Sequence, residues 1–227
     1  MESYQEYKES ILACPTLPAI EPPKEYYKNG KEKKQKKVET CHKKSFDGVS
    51  VPGYFSYNNV KLLLVLNAPE AETVSQGIAW TSKKEAKITN WLKEAGLYGN
   101  NQIGFSYLLK CPVSGLRNSG QAWKYCKASF DEEIKFANNP GIMLVGMETT
   151  QLILPKALHP TSETDFMYRY VTYDLNVFGR KYFFLPSVSE IYTSRDNGNE
   201  VRSDGDLLLA VSSLKKAAKL LGISFQK

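Results

Sequence analysis

The chain has 227 residues, 42% hydrophobic and 24% charged, with a formal charge of +6. That is enough apolar content for one good core, and it excludes a disordered or fibrous protein. An uninterrupted apolar run such as Leu62 to Leu66, which none exceeds, is far short of the roughly 20 residues that span a bilayer, and Met1 to Leu12 is polar and acidic rather than patterned as an export signal, so a cytoplasmic monomer with no membrane contact is expected.

The N-terminal region differs in kind from the rest. Pro15, Pro18, Pro22 and Pro23 lead into a run from Lys24 to Lys44 in which nine lysines stand against three glutamates, a net of +6. The remainder of the chain is therefore neutral. A polyanion-binding arm has this composition, with Lys33, Lys34, Lys36 and Lys37 at its densest point, and so does a solvated loop. The prolines and lysines suit neither a strand nor a regular core helix. Residues 1–59 are accordingly read as an arm carrying an insertion, and residues 60–227 as the α/β core of one folded domain. Four cysteines, Cys14, Cys41, Cys111 and Cys126, occur without an export signal, which disfavours disulfides. No two are separated by only two residues, so ordinary thiols, a metal and a cluster all remain open.

From residue 60 onward, short buried-type strands alternate with amphipathic helices. Strands are predicted at Val60 to Leu66, Ile103 to Leu109, Gly141 to Val145 and Lys181 to Leu185. Ser82 to Ala95 places Ile88, Trp91, Leu92 and Ala95 on one helical face, with Ser82 as an N-cap and Gly96 as the stop. Ser119 to Ala137 reads as a longer helix ended by Asn138, Asn139 and Pro140. A short helix, Glu148 to Leu154, follows the third strand, and Asp204 to Leu221 closes the chain before Gly222. The pattern predicts a single three-layer α/β/α domain around a mainly parallel four-stranded sheet.

In open parallel sheets, ligands bind at the carboxyl ends of the strands. After the four predicted strands come Asn67-Ala68-Pro69-Glu70, Lys110-Cys111-Pro112, Gly146-Met147-Glu148 and Pro186-Ser187. Taken in that order, these residues resemble the uracil-DNA glycosylase superfamily, most closely its iron–sulfur-bearing, type 4-like branch. "LLLVLNAPEAE" (residues 62–72) is similar to the family's first motif, an apolar strand running into Gly-Glu-Ala-Pro-Gly. "LLKCPVSGLRNSGQAWKYC" (108–126) is similar to its Lys-Cys-Arg-Pro-Pro segment, the Gly-Asn-Arg loop and the helix that reaches the fourth cluster cysteine. "GIMLVGMETTQLIL" (141–154) is similar to its strand-Gly-helix unit, and Phe184 to Ser187 falls where the family has His-Pro-Ser.

The resemblance implies extrusion of one nucleotide from DNA and hydrolysis of its N-glycosidic bond. It also implies a structural 4Fe–4S cluster held by Cys14, Cys41, Cys111 and Cys126. The family's N-terminal pair is close together, whereas 26 residues separate Cys14 from Cys41 here. Asn67 stands where the cluster-bearing branch has Glu; other branches have Asn there, which holds the water by hydrogen bonding instead of taking its proton. Glu70 and Glu72 lie close by as candidate assistants, or as ordinary solvated carboxylates at a helix start. Trp80 falls where the family stacks an aromatic on the flipped base; a core position is the alternative. Arg117 and Ser187 are the DNA-contacting candidates of their motifs.

Two departures bear on the substrate. The family's base-reading Asn appears as Tyr107, and the His of His-Pro-Ser appears as Leu185. His159-Pro160 precedes the fourth strand and is a decoy for that motif, while His42 beside Cys41 is read as surface or cluster neighbourhood. Without a bidentate amide and an imidazole, the expected substrate is a modified pyrimidine, such as a hypermodified phage cytosine removed in antiviral defence. The alternatives are ordinary uracil excision in DNA repair, a catalytically silent DNA binder, and a hydrolase of free nucleotides.

Overall fold

The computed structural model describes residues 3–12, 51–55, 59–70, 83–112, 116–188 and 200–225. Helix α1 (Tyr4–Leu12) comes first, and the core then runs β1 (Leu62–Leu66), α2 (Lys83–Glu94), β2 (Ile103–Tyr107), α3 (Leu116–Phe136), β3 (Gly141–Val145) and α4 (Met147–Ile153). After a 3-10 turn at Lys156–Leu158, a helical turn at Glu163–Asp165 and a π turn at Phe166–Tyr170, the chain forms β4 (Leu175–Val177), β5 (Arg180–Leu185) and α5 (Glu200–Leu221). Among the described residues the sheet has five strands in the order β2-β1-β3-β5-β4. β1, β2, β3 and β5 are parallel, and β4 pairs antiparallel with β5.

The expected four-stranded sheet is therefore corrected to five strands. β4 has three residues, none of them buried, which is too short for a period-two pattern to register. What marks it is the two-residue link to β5, where Phe178 (φ 53) and Gly179 (φ 77) both take the left-handed backbone of a tight hairpin. α1 was also unforeseen, because its sequence is dominated by polar residues. It nonetheless buries Tyr7 completely and packs the Tyr4 ring, tilted, against those of Phe55 and Phe136. Residues 51–55 join it on the core: Val51 and Phe55 are buried, and Tyr54 exchanges backbone hydrogen bonds with Phe105 of β2.

Because the parallel strands are covered on both faces, alternate residues along each go to opposite layers. Leu62, Leu64 and Leu66 of β1, Met143 and Val145 of β3, and Phe183 and Leu185 of β5 pack with Ile88, Trp91 and Leu92 of α2 and Ala210, Leu214 and Ala217 of α5. Leu63 and Val65, Ile142 and Leu144, and Tyr182 and Phe184 face the other way, onto Phe130 and Ile134 of α3 and onto Phe166 and Tyr170. α3 stops where expected: Asn138 and Asn139 adopt φ 58 and 52, and Pro140 follows. Three layers are thus fixed by side-chain alternation, and the carboxyl ends of β1, β2, β3 and β5 share one edge.

Candidate active site at the carboxyl edge of the sheet

Asn67 directly follows β1 at that edge. Its backbone carbonyl accepts from Leu109 N–H at 2.8 Å, fixing it against the turn after β2. Its side-chain Nδ2 donates to Ser119 Oγ at 3.1 Å, and Ser119 Oγ donates to Glu148 Oε1 at 2.8 Å. Three elements meet here: the end of β1, the first turn of α3 and the first turn of α4. Ser119 is fully buried, and Asn67 and Glu148 are partly exposed. Asn67 Oδ1 is buried and accepts no hydrogen bond among the described residues. A buried acceptor without a donor costs free energy, and such groups are kept where something else is meant to bind.

The turn after β3 brings α4 to this point. Gly146 has φ 85, a left-handed backbone that favours glycine, and a Cβ there would meet the Ser187 side chain at 3.4 Å, in ordinary van der Waals contact. Gly146 N–H donates to Leu185 carbonyl at 2.9 Å. Ser187 is thereby held beside the β3–α4 turn, at the same edge as Asn67.

Beneath this edge lies a buried ionic network that the sequence reading left out. Lys110 Nζ contacts Glu133 Oε2 at 2.6 Å, Tyr107 carbonyl at 2.7 Å and Ser106 Oγ at 3.3 Å. Glu133 also accepts from the Ser106 hydroxyl and, at 2.6 Å, from Gly53 N–H. Lys110 and Glu133 are 2% and 0% exposed, so the pair is removed from water and depends on these hydrogen bonds. Burial, and after it the Glu133 carboxylate alongside, hold the Tyr7 hydroxyl well above the ordinary tyrosine range, and burial followed by Glu133 does the same to Tyr4. Tyr4 further donates to Gly53 carbonyl at 2.8 Å. α1, residues 51–55, β2 and α3 are all fastened at this one carboxylate.

The remaining sequence candidates fall in three places. Tyr107 is 1% exposed within the core, and its hydroxyl donates to Glu85, itself buried on α2. Leu185 is fully buried in the same layer, and Glu70 lies partly exposed after the β1 turn. His159 bonds Leu154 carbonyl through Nε2 at 2.9 Å, far in sequence from every strand end that carries a motif. Arg117 falls in the first turn of α3. Cys111 is buried after β2 and Cys126 is partly buried on α3, both as thiols rather than disulfides. Cys14, Cys41, Glu72, Trp80, Lys33, Lys34, Lys36 and Lys37 lie outside the described residues. Among the described residues no group of three or more His, Cys, Asp or Glu side chains is placed to hold a metal. No described helix is long and apolar enough to cross a membrane.

Ser119, Glu133, Glu148 and Glu85 are the site and support residues that sequence reasoning missed. Three of them carried a signal. Glu133 sits three residues after Phe130 on the buried stripe of α3, Glu85 three before Ile88 on that of α2, and Ser119 three before Ala122. A polar residue on an apolar stripe needs a buried partner.

A family model described as the uracil DNA glycosylase superfamily matches residues 52–206. Comparison with curated proteins finds no match. Members of that superfamily are DNA glycosylases, which implies DNA as the substrate. The matched span takes in more than half of the chain, every strand of the sheet and the Asn67, Ser119 and Glu148 set: the chain belongs to the uracil DNA glycosylase superfamily.

Proposed function

We propose that this protein is a monofunctional DNA glycosylase that excises a modified pyrimidine. The observation that carries the glycosylase reading is the Asn67 side chain, anchored through its nitrogen, with a carbonyl oxygen at the strand edge that accepts no hydrogen bond among the described residues. A nucleotide swung out of the stack brings its C1′ to that edge, and the unstacking costs a few kcal/mol. Water hydrogen-bonded to Asn67 Oδ1 attacks C1′; the new C–O bond forms as the C1′–N bond breaks, and the bonding pair departs on the base. The anionic base takes up the proton that the water releases, through solvent, and an abasic sugar remains. Asn67 acts by orientation, since an amide does not accept the proton.

What supports a modified base is the chemistry of the β2 and β5 ends. A site that pairs with uracil through an amide and an imidazole rejects other bases, because its polar groups would be left unpaired. Here those positions carry Tyr107, whose hydroxyl is engaged by Glu85, and apolar Leu185. Nothing at either position demands the uracil edge. On duplexes identical except for the target base, we expect little excision of uracil opposite guanine or adenine, and markedly more of a bulky 5-substituted pyrimidine such as glucosylated hydroxymethylcytosine. Alkali-labile strand breaks report the product. Efficient uracil removal with none of the bulky base would return the protein to uracil repair, and tight binding without any excision would make it a silent binder. Removal of hypermodified cytosine would suit a role in defence against phage.

A 4Fe–4S cluster belongs to the same proposal. Cys111 and Cys126 offer thiols of the required chemistry. α1 ends two residues before Cys14. The cluster would tie the N-terminal arm to the loop after β2 through Cys14, Cys41, Cys111 and Cys126, and the lysines of that arm would add salt-sensitive phosphate contacts. Anaerobically purified protein should be brown, with about four irons per chain, and Cys111→Ala or Cys126→Ala should lose iron and thermal stability together. Colourless, normally folded protein containing zinc or no metal would contradict it.

A further inference from the structure

The hydrogen-bond chain at the strand edge has a fixed direction. Glu148 offers only acceptors to Ser119, whose Oγ lies 2.8 Å from Oε1, so the single hydroxyl proton is committed there. Toward Asn67 the serine oxygen has only lone pairs left. The amide atom 3.1 Å away must therefore be the nitrogen, and the carbonyl oxygen is turned to the opposite side, where it is buried and accepts nothing among the described residues. Rotating the amide would set two oxygens against each other.

We propose that Ser119 and Glu148 are positioning residues that hold the Asn67 amide one way round, so that its carbonyl oxygen is the atom presented to the attacking water. The inference rests on the glycosylase reading, for which an acceptor at that point leaves a water lone pair directed at C1′. A donor there would take one of the water's two lone pairs and draw electron density from the attacking oxygen, whereas an acceptor leaves both free and adds density. Neither Ser119 nor Glu148 touches the reacting atoms. Their role is to carry the polarity of a carboxylate across one hydroxyl to an amide that has no polarity preference of its own.

The test uses Glu148→Gln, which keeps the shape and removes the enforced direction. The new side chain can donate to Ser119 through Nε2, which releases the serine proton toward Asn67 and lets the amide flip. Single-turnover excision should fall about 10- to 100-fold, the scale on which partners that orient a functional group act. Melting temperature and DNA affinity should stay as in wild type. In an Asn67→Asp background the same change should act in the opposite sense. There the introduced carboxylate faces a serine lone pair, and E148Q supplies the missing donor, so N67D/E148Q should excise faster than N67D. A merely structural Glu148 would lower both backgrounds alike. An independent readout is the Asn67 side-chain NH2 resonance in 15N-labelled protein, identified by its loss in N67D. It should move in E148Q and in Ser119→Ala, and stay in place in the control Glu94→Gln, at an exposed residue of α2. An unmoved resonance in E148Q, or equal losses in both backgrounds, overturns the positioning role. If wild type excises no base from any DNA while the resonance moves as expected, the amide orientation stands and the glycosylase reading falls instead.

Discussion

Replacing Asn67 by alanine should reduce excision by about 100-fold or more while leaving the fold and DNA binding intact. A 100-fold loss corresponds to about 2.7 kcal/mol of transition-state stabilisation. The expectation follows from where the side chain sits. Asn67 is only partly buried, it lies past the last residue of β1, and the bond that fastens the turn comes from its backbone carbonyl to Leu109 N–H, which alanine retains. Among the described residues the side chain makes one hydrogen bond, to Ser119. Stability should therefore fall by about 1 kcal/mol at most, and the loss should appear in the chemical step, under single-turnover conditions, with unchanged DNA affinity. Wild-type-like excision would mean that the water is held elsewhere and would direct attention to Glu70 and Glu72.

How much of this was legible before the structure depends on the kind of signal. Strand β3 was found at its true limits because a five-residue apolar run bounded by Pro140 and Gly146 has a single reading. β2 was drawn too long, to Leu109. The apolar run does continue, but Leu108 and Leu109 donate to Leu66 and Asn67 carbonyls as the chain turns, and hydrophobicity does not record where ladder pairing ends. Lys110 illustrates the opposite case. Its motif resembles the family's, but nothing in the motif says where the charge goes: the ammonium group is folded inward onto Glu133, 23 residues on. A partner at that distance along the chain has no local signature. Asn67 was singled out by its place after a strand, while Ser119 and Glu148, which give the amide its direction, come from two other segments that only the tertiary fold brings together.

The ion pair under the site should be the most costly single place to cut. Glu133→Ala leaves the Lys110 ammonium buried with its counter-charge removed, and it also strips acceptors from Ser106 Oγ and Gly53 N–H. Breaking a buried pair from one side typically costs about 3–5 kcal/mol, because the surviving charge stays desolvated. In a chain of this size that corresponds to a melting temperature lower by roughly 6–20 °C. The damage should spread in a defined direction, because Glu133 holds Gly53 N–H and the Gly53 carbonyl in turn holds Tyr4 of α1, beside the apolar contacts both segments make: protease sites in these two segments should open before those in α5, which packs on the other layer. Replacing both members, Lys110→Met with Glu133→Leu, should recover a good part of the loss, since two matched apolar side chains carry no desolvation penalty, while Gly53 N–H and Ser106 still lack their acceptor. The measurement is thermal unfolding of the two single variants and the double variant under one condition. Single losses near 1 kcal/mol, or a double variant worse than either single, would show that the charges are hydrated in solution and that the clamp on the N-terminal helix lies elsewhere.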